Sequence, residues 1–117
     1  MNAEERRAIR EGLDEEHLAL FDILTSGKSL DQRTRNRIKK VASELLDALK
    51  AQKLKVDNWR EKEQTMADVQ VFIEEFLWDE ARGLPADYSP EDVELLAAQV
   101  FDHIYQQYPS ADRHVYA

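Results

Sequence analysis

The sequence predicts an all-α fold: a compact bundle of four main helices with a short extra N-terminal helical segment. Three observations predict it. The chain has only three glycines and three prolines, and all six fall where helices should start or stop, which disfavours a turn-rich β fold. Apolar residues recur at spacings of three and four, clearest in Ile38, Val41, Ala42, Leu45, Leu46 and Leu49, a helical stripe and not a strand alternation. Charged residues make up 34% of the chain beside 43% hydrophobic ones, the balance of helices with solvated outer faces.

The elements follow in order. The stretch from Ala3 to Glu11 is helical in pattern but carries little apolar surface beyond Ala8 and Ile9; residues 1–12 read as the end of a linker or of an upstream helix. The first full helix spans about 15–25. Asp14 is its expected N-cap, because a carboxylate accepts an N–H that the helix leaves unbonded, and Leu13 and Leu18 occupy the two positions of a hydrophobic staple. A second helix is expected over about 30–52, opened by a capping box of Ser29 and Gln32. Leu54 and Val56 then link to a third helix over about 58–81, capped by Asp57. Its apolar residues (Trp59, Met66, Val69, Phe72, Ile73 and Phe76 among them) cover more than one face, so it is expected to be the central helix. The fourth helix spans about 90–108, with Pro90 in its first turn and Tyr88, Ser89 and Val93 repeating the staple and cap. Gly12, Gly27 and Gly83 each follow a helical segment and are expected as left-handed C-terminal caps. Residues 13–109 form the helical domain, and 110–117 form a tail without periodicity.

Composition removes several function classes. There is no cysteine, so disulfides, thiolate metal sites and cysteine nucleophiles are excluded, and a cytoplasmic setting fits. No apolar run approaches the roughly 18 residues of a membrane span, so no membrane partner is expected. No Gly-rich phosphate loop, nucleophile elbow or paired-histidine zinc motif is present, so no catalytic residue and no bound cofactor or metal is expected.

The net charge of −8 disfavours a broad phosphate-binding surface, yet the charge is segregated. Between Ser26 and Lys40, six basic residues face Asp31 alone, and from Glu74 to Ala117 ten acidic residues face Arg82 and Arg113. Arg33, Arg37 and Lys40 recur at four and three residues and line one edge of the second helix. That edge reads either as a solvated face or as a surface for phosphates or an acidic protein; lying off the apolar stripe, it should tolerate charge reversal without loss of the fold. Glu74, Glu75, Asp79 and Glu80 admit a di-metal or acid–base site, but like charges at that spacing repel, and a solvated acidic face that meets a basic partner is preferred. His17, His103 and His114 stand apart from one another, as surface or half-buried histidines do. Trp59 and Trp78, 19 residues apart on the expected third helix, point about 100° apart, so one of them is a candidate interface anchor.

Three stretches carry a family resemblance. Leu13-Asp-Glu-Glu-His-Leu-Ala-Leu-Phe-Asp-Ile-Leu24 opens an acidic helix. Val56-Asp-Asn-Trp-Arg-Glu-Lys-Glu-Gln-Thr65 opens a long one. Phe72-Ile-Glu-Glu-Phe-Leu-Trp-Asp-Glu80 leads through Leu84, Pro85 and Tyr88 to Val100-Phe101-Asp-His-Ile-Tyr105. In order and spacing, from Leu13 to Pro109, they resemble the C-terminal region of the R (motor and endonuclease) subunit of type I restriction enzymes. One departure is Asn58, which separates Asp57 from Trp59 where the family has the pair adjacent. The resemblance implies a non-catalytic helical domain that docks an ATP-dependent DNA translocase and endonuclease onto its methyltransferase (M) and specificity (S) subunits. The nuclease site and the two RecA-like motor domains of such a subunit lie outside these residues. Its implied partners are the rest of the R subunit and the M and S subunits, with DNA reached only through the parent complex. Whether the reading frame extends upstream of Met1 into helicase motifs separates this reading from a free-standing chain. A free-standing acidic helical adaptor, in particular a DNA-mimicking inhibitor, is the alternative from a different class, and a metal-dependent enzyme built on the carboxylates is a third.

Overall fold

The computed structural model describes residues 12–26, 29–54 and 59–108. They form four α-helices, α1 (Glu15–Thr25), α2 (Gln32–Gln52), α3 (Glu63–Trp78) and α4 (Pro90–Gln107), with a 3-10 turn at Trp59–Glu61 and no strand among the described residues. The all-α bundle of four main helices expected from the sequence is what forms, and the expected N-terminal segment over 3–11 lies outside the described residues. Helix α1 packs chiefly on α2 and α3 on α4, while contacts of α1 with α4 and of α2 with α3 join the two pairs. One continuous core results, and among the described residues no buried side-chain nitrogen or oxygen lacks a partner.

Helix α1 begins where its cap dictates: the Asp14 carboxylate accepts the His17 N–H at 2.8 Å, and Leu13 packs against the core beside buried Leu18. Helix α2 departs from the expected start. Its N-cap is Asp31, whose carboxylate accepts the Thr34 N–H at 2.7 Å. The Gln32 side chain donates forward to Asn36 and not back to Ser29, and Leu30 packs partly buried on the core ahead of the helix. All six residues of the expected α2 stripe are buried.

The expected third helix is divided. Trp59 sits in the 3-10 turn, Lys62 is extended, and α3 starts at Glu63 with no side-chain cap bond; the expected cap Asp57, like Gly27 and His114, lies outside the described residues. Tertiary packing accounts for the division. The indole of Trp59 meets the rings of Phe101 and Tyr105 edge-on at 6.4 and 6.1 Å, and its N–H donates to the Tyr108 carbonyl at 2.8 Å. At the other end α3 stops at Trp78, because the Asp79 carboxylate accepts the N–H groups of Ala81 and Arg82 and turns the chain. Nor is α3 the central helix. It buries Val69, Ile73, Phe76 and Leu77 on one face and leaves Val71 and Trp78 exposed on the other.

Gly83 is not a left-handed cap; of the described glycines only Gly12 has positive φ, at 76°. Gly83 is required by crowding instead. A Cβ there would collide with the Leu77 carbonyl oxygen and lie 2.6 Å from those of Phe76 and Asp79. Helix α4 opens as expected, with a reciprocal capping box of Ser89 and Asp92 and Pro90 in the first turn. Tyr88, just ahead, is buried and donates its hydroxyl to the Leu24 carbonyl at 2.6 Å, fastening α4 to the end of α1.

Candidate functional site

The basic edge of α2 survives folding, but its three members differ. Arg33 and Lys40 are exposed. Arg37 is exposed as well, but its guanidinium donates to the Gly83 carbonyl from Nε (3.2 Å) and Nη2 (3.0 Å), and from Nη2 to the Glu80 carbonyl at 3.1 Å. It satisfies carbonyls of the loop between α3 and α4 that no helix ladder reaches. The expectation that all three charges can be reversed without structural cost is corrected for Arg37, whose guanidinium holds this loop.

The two tryptophans have opposite fates. Trp59 is 0% exposed and part of the core, so it offers no surface to a partner. Trp78 is 49% exposed and forms one wall of an open groove of about 500 Å³, together with Arg37, Leu77, Pro85, Ala86 and Tyr88. The structure thus brings Arg37 and Trp78 together and sends Trp59 elsewhere. Burial, aided by the charges of Asp92 and Asp87, pushes the Tyr88 hydroxyl up to about 12, so it stays a proton donor to Leu24 at any physiological pH.

The carboxylate cluster is not one unit. Asp79 caps the turn after α3, and the N–H groups of Arg82 and Ala81 hold its carboxyl below the usual range. Glu74, Glu75 and Glu80 are exposed. Among the described residues, no three histidine, aspartate or glutamate side chains converge as metal ligands.

Two polar arrangements had no sequence signal. His17 places Nδ1 2.6 Å from Asp14 Oδ1 and Nε2 2.9 Å from Asp47 Oδ1. A neutral imidazole has only one N–H, so two carboxylate partners favour the doubly protonated ring. Burial works against that charge, but the hydrogen bonds and charges of Asp47 and Asp14 outweigh it and raise the His17 pKa. Burial lowers the pKa of His103. The second arrangement links every helical element except α3. Glu16 Oε1 on α1 accepts from Lys50 Nζ on α2 (2.6 Å) and from the Tyr108 hydroxyl at the end of α4 (2.8 Å), while the Tyr108 carbonyl accepts from Trp59. Its only trace in the sequence is Tyr108 at the end of the α4 apolar stripe.

No helix of the described residues is long and apolar enough to cross a membrane. No curated protein matches the chain, and no solved structure does. A family model for the C-terminal domain of subunits like the endonuclease subunit of the type I restriction enzyme HindI matches residues 1–109. With nearly the whole chain matched, and with the helical fold expected of such a domain, the protein belongs to the family of type I restriction enzyme HindI endonuclease subunit-like C-terminal domains.

Proposed function

We propose that this domain is a non-catalytic docking element of a type I restriction enzyme R subunit, and that it holds an ATP-dependent DNA translocase and endonuclease to the M and S subunits. The observation that carries this reading, beside family membership, is the basic edge of α2. In a chain of net charge −8, Arg33 and Lys40 stand exposed on a helix whose core contacts are made by other residues. A motor that pulls DNA needs a fixed point while its other domains move, and a helical module with a closed core supplies one. Complementary charge sets encounter rate and register between such surfaces, so the edge meets an acidic surface of the M and S core. Membership in a restriction-subunit family favours this reading over the free-standing adaptor or DNA-mimicking inhibitor.

The test is calorimetry of the chain against the M and S core, comparing wild type with Arg33→Glu/Lys40→Glu at two salt concentrations. The double variant should keep its circular dichroism spectrum and lose affinity, with the larger loss at low salt. Equal affinity at both salt concentrations would reduce the edge to a solvated face.

A further inference from the structure

Helix α3 is amphipathic in an unusual sense, because both of its faces carry apolar side chains. Val69, Ile73, Phe76 and Leu77 are buried. Val71 and Trp78, each 49% exposed, lie seven residues apart and so on one line of the helix, about 180° from the centre of the buried face. Exposed Ala67 continues that line toward the helix start. The exposed carboxylates Glu74 and Glu75 flank it, one on each side. Helix α3 contains four acidic residues and no basic one. Of the cations around the helix, Lys62 precedes its first residue, at the end far from Trp78, Arg82 stands over the Phe76 ring and pairs with Asp79, Lys53 stands over the Phe72 ring, and Arg37 binds the loop carbonyls. Beyond Trp78 the line runs into the groove bounded by Arg37, Pro85 and Tyr88.

We propose that the outward face of α3 is a second docking surface, made for an amphipathic helix of a protein partner that carries lysines or arginines beside its apolar stripe. Val71 and Trp78 are spaced two helical turns apart, about 10.5 Å, which matches the repeat of apolar residues along a facing helix. Glu74 and Glu75 meet the cations on either side of that stripe, and the groove behind Trp78 takes one of its apolar side chains. Nucleic acid is the wrong occupant, because these carboxylates repel phosphate. A second copy of α3 is wrong for a related reason, since a two-fold contact would set one acidic helix without a cation against another. This surface shares Arg37 with the α2 edge but is opposite in charge to Arg33 and Lys40, and neither test alters Arg37, so the two proposals can fail independently.

The chain contains two tryptophans, and Trp59 is sealed in the core, so a change in emission reports Trp78. The probe is a synthetic helical peptide of leucine and lysine in heptad spacing, with a leucine–glutamate peptide of the same pattern and a DNA duplex as comparisons. Titration with the lysine peptide should give a saturable blue shift that weakens as salt rises. Glu74→Lys/Glu75→Lys should abolish the shift while preserving the helical circular dichroism spectrum. Val71→Ser, a milder exposed change, should weaken binding several-fold, and Arg33→Glu/Lys40→Glu should retain it. No saturable shift, an equal shift with the glutamate peptide or the duplex, or a shift that persists in Glu74→Lys/Glu75→Lys would overturn the proposal.

Discussion

Gly83→Ala tests whether crowding, and not a left-handed backbone, fixes that position. The added Cβ would overlap the Leu77 carbonyl oxygen and approach those of Phe76 and Asp79 at 2.6 Å. All three are backbone atoms at the end of α3, so no side chain can swing aside. Inserting one carbon into a packed site costs about 1–3 kcal/mol. Moving the loop also strains the Leu84 N–H bond to Leu77, at 3.0 Å, and the Arg37 bonds to the Gly83 carbonyl; each lost bond adds about 0.5–1.5 kcal/mol. A total loss of about 2–4 kcal/mol is expected, against about 6–18 kcal/mol for a domain of this length. The variant should therefore fold and unfold at lower urea. With a slope of about 2 kcal/mol per molar, the midpoint should fall by about 1–2 M. Gly12→Ala is the internal comparison. Its φ is 76° with nothing within 4 Å of the added carbon, so only the backbone penalty of about 1–2 kcal/mol applies. A Gly83→Ala loss below about 0.5 kcal/mol, or one no larger than that of Gly12→Ala, would refute the reasoning.

Three further outcomes are expected. Phe76 is 2% exposed in the core side of α3, so Phe76→Ala should cost about 3–5 kcal/mol; denaturant unfolding checks it, and a loss under about 1 kcal/mol would contradict its burial. The His17 pKa is raised above its ordinary 6.5, so the stability it contributes should be complete below pH 6.5 and fade as pH rises through the folded-state pKa. The difference between wild type and His17→Gln in urea midpoints from pH 5 to 9 isolates this from His103, whose shift has the opposite sign; a difference that grows with pH would refute it. Finally, purified chain should not hydrolyse ATP or cleave DNA, because it has no phosphate loop or nuclease motif; turnover that scales with protein concentration through purification would contradict this.

The helices were legible where local chemistry decides. Asp14 and Ser89 are strong acceptors placed just before apolar stripes, and both helices start on them. At the start of α2 the Ser29 and Gln32 pattern pointed to a cap two residues too early, because Asp31 is a strong acceptor as well and takes the Thr34 N–H. The break at Lys62 was hidden for a different reason. Nothing in the residues from Trp59 to Glu63 forbids a helix; the turn exists because the indole must reach Tyr108, 49 residues away. The same holds for the candidate surface. Spacing placed Arg33, Arg37 and Lys40 on one edge, but the carbonyls that occupy Arg37 lie 43 and 46 residues on. Periodicity separated the directions of Trp59 and Trp78 without saying which faces water.

Arg37 is where stability and recognition meet, and it shows how the two separate elsewhere. Arg33 and Lys40 can change sign without touching the core, and so can Glu74 and Glu75, since all four are exposed. Arg37 cannot, because its planar fork satisfies two loop carbonyls at once, a geometry that a lysine ammonium does not reproduce. The loop it holds carries Leu84, Pro85 and Ala86, which face Trp78 across the groove. Loosening that loop alters the surface offered by Trp78 without altering Trp78 itself. Binding lost in an Arg37 variant therefore does not identify Arg37 as a contact. The contact roles of the two surfaces are decided by their outer charges, Arg33 with Lys40 on α2 and Glu74 with Glu75 on α3, where substitution changes the potential and leaves the scaffold in place.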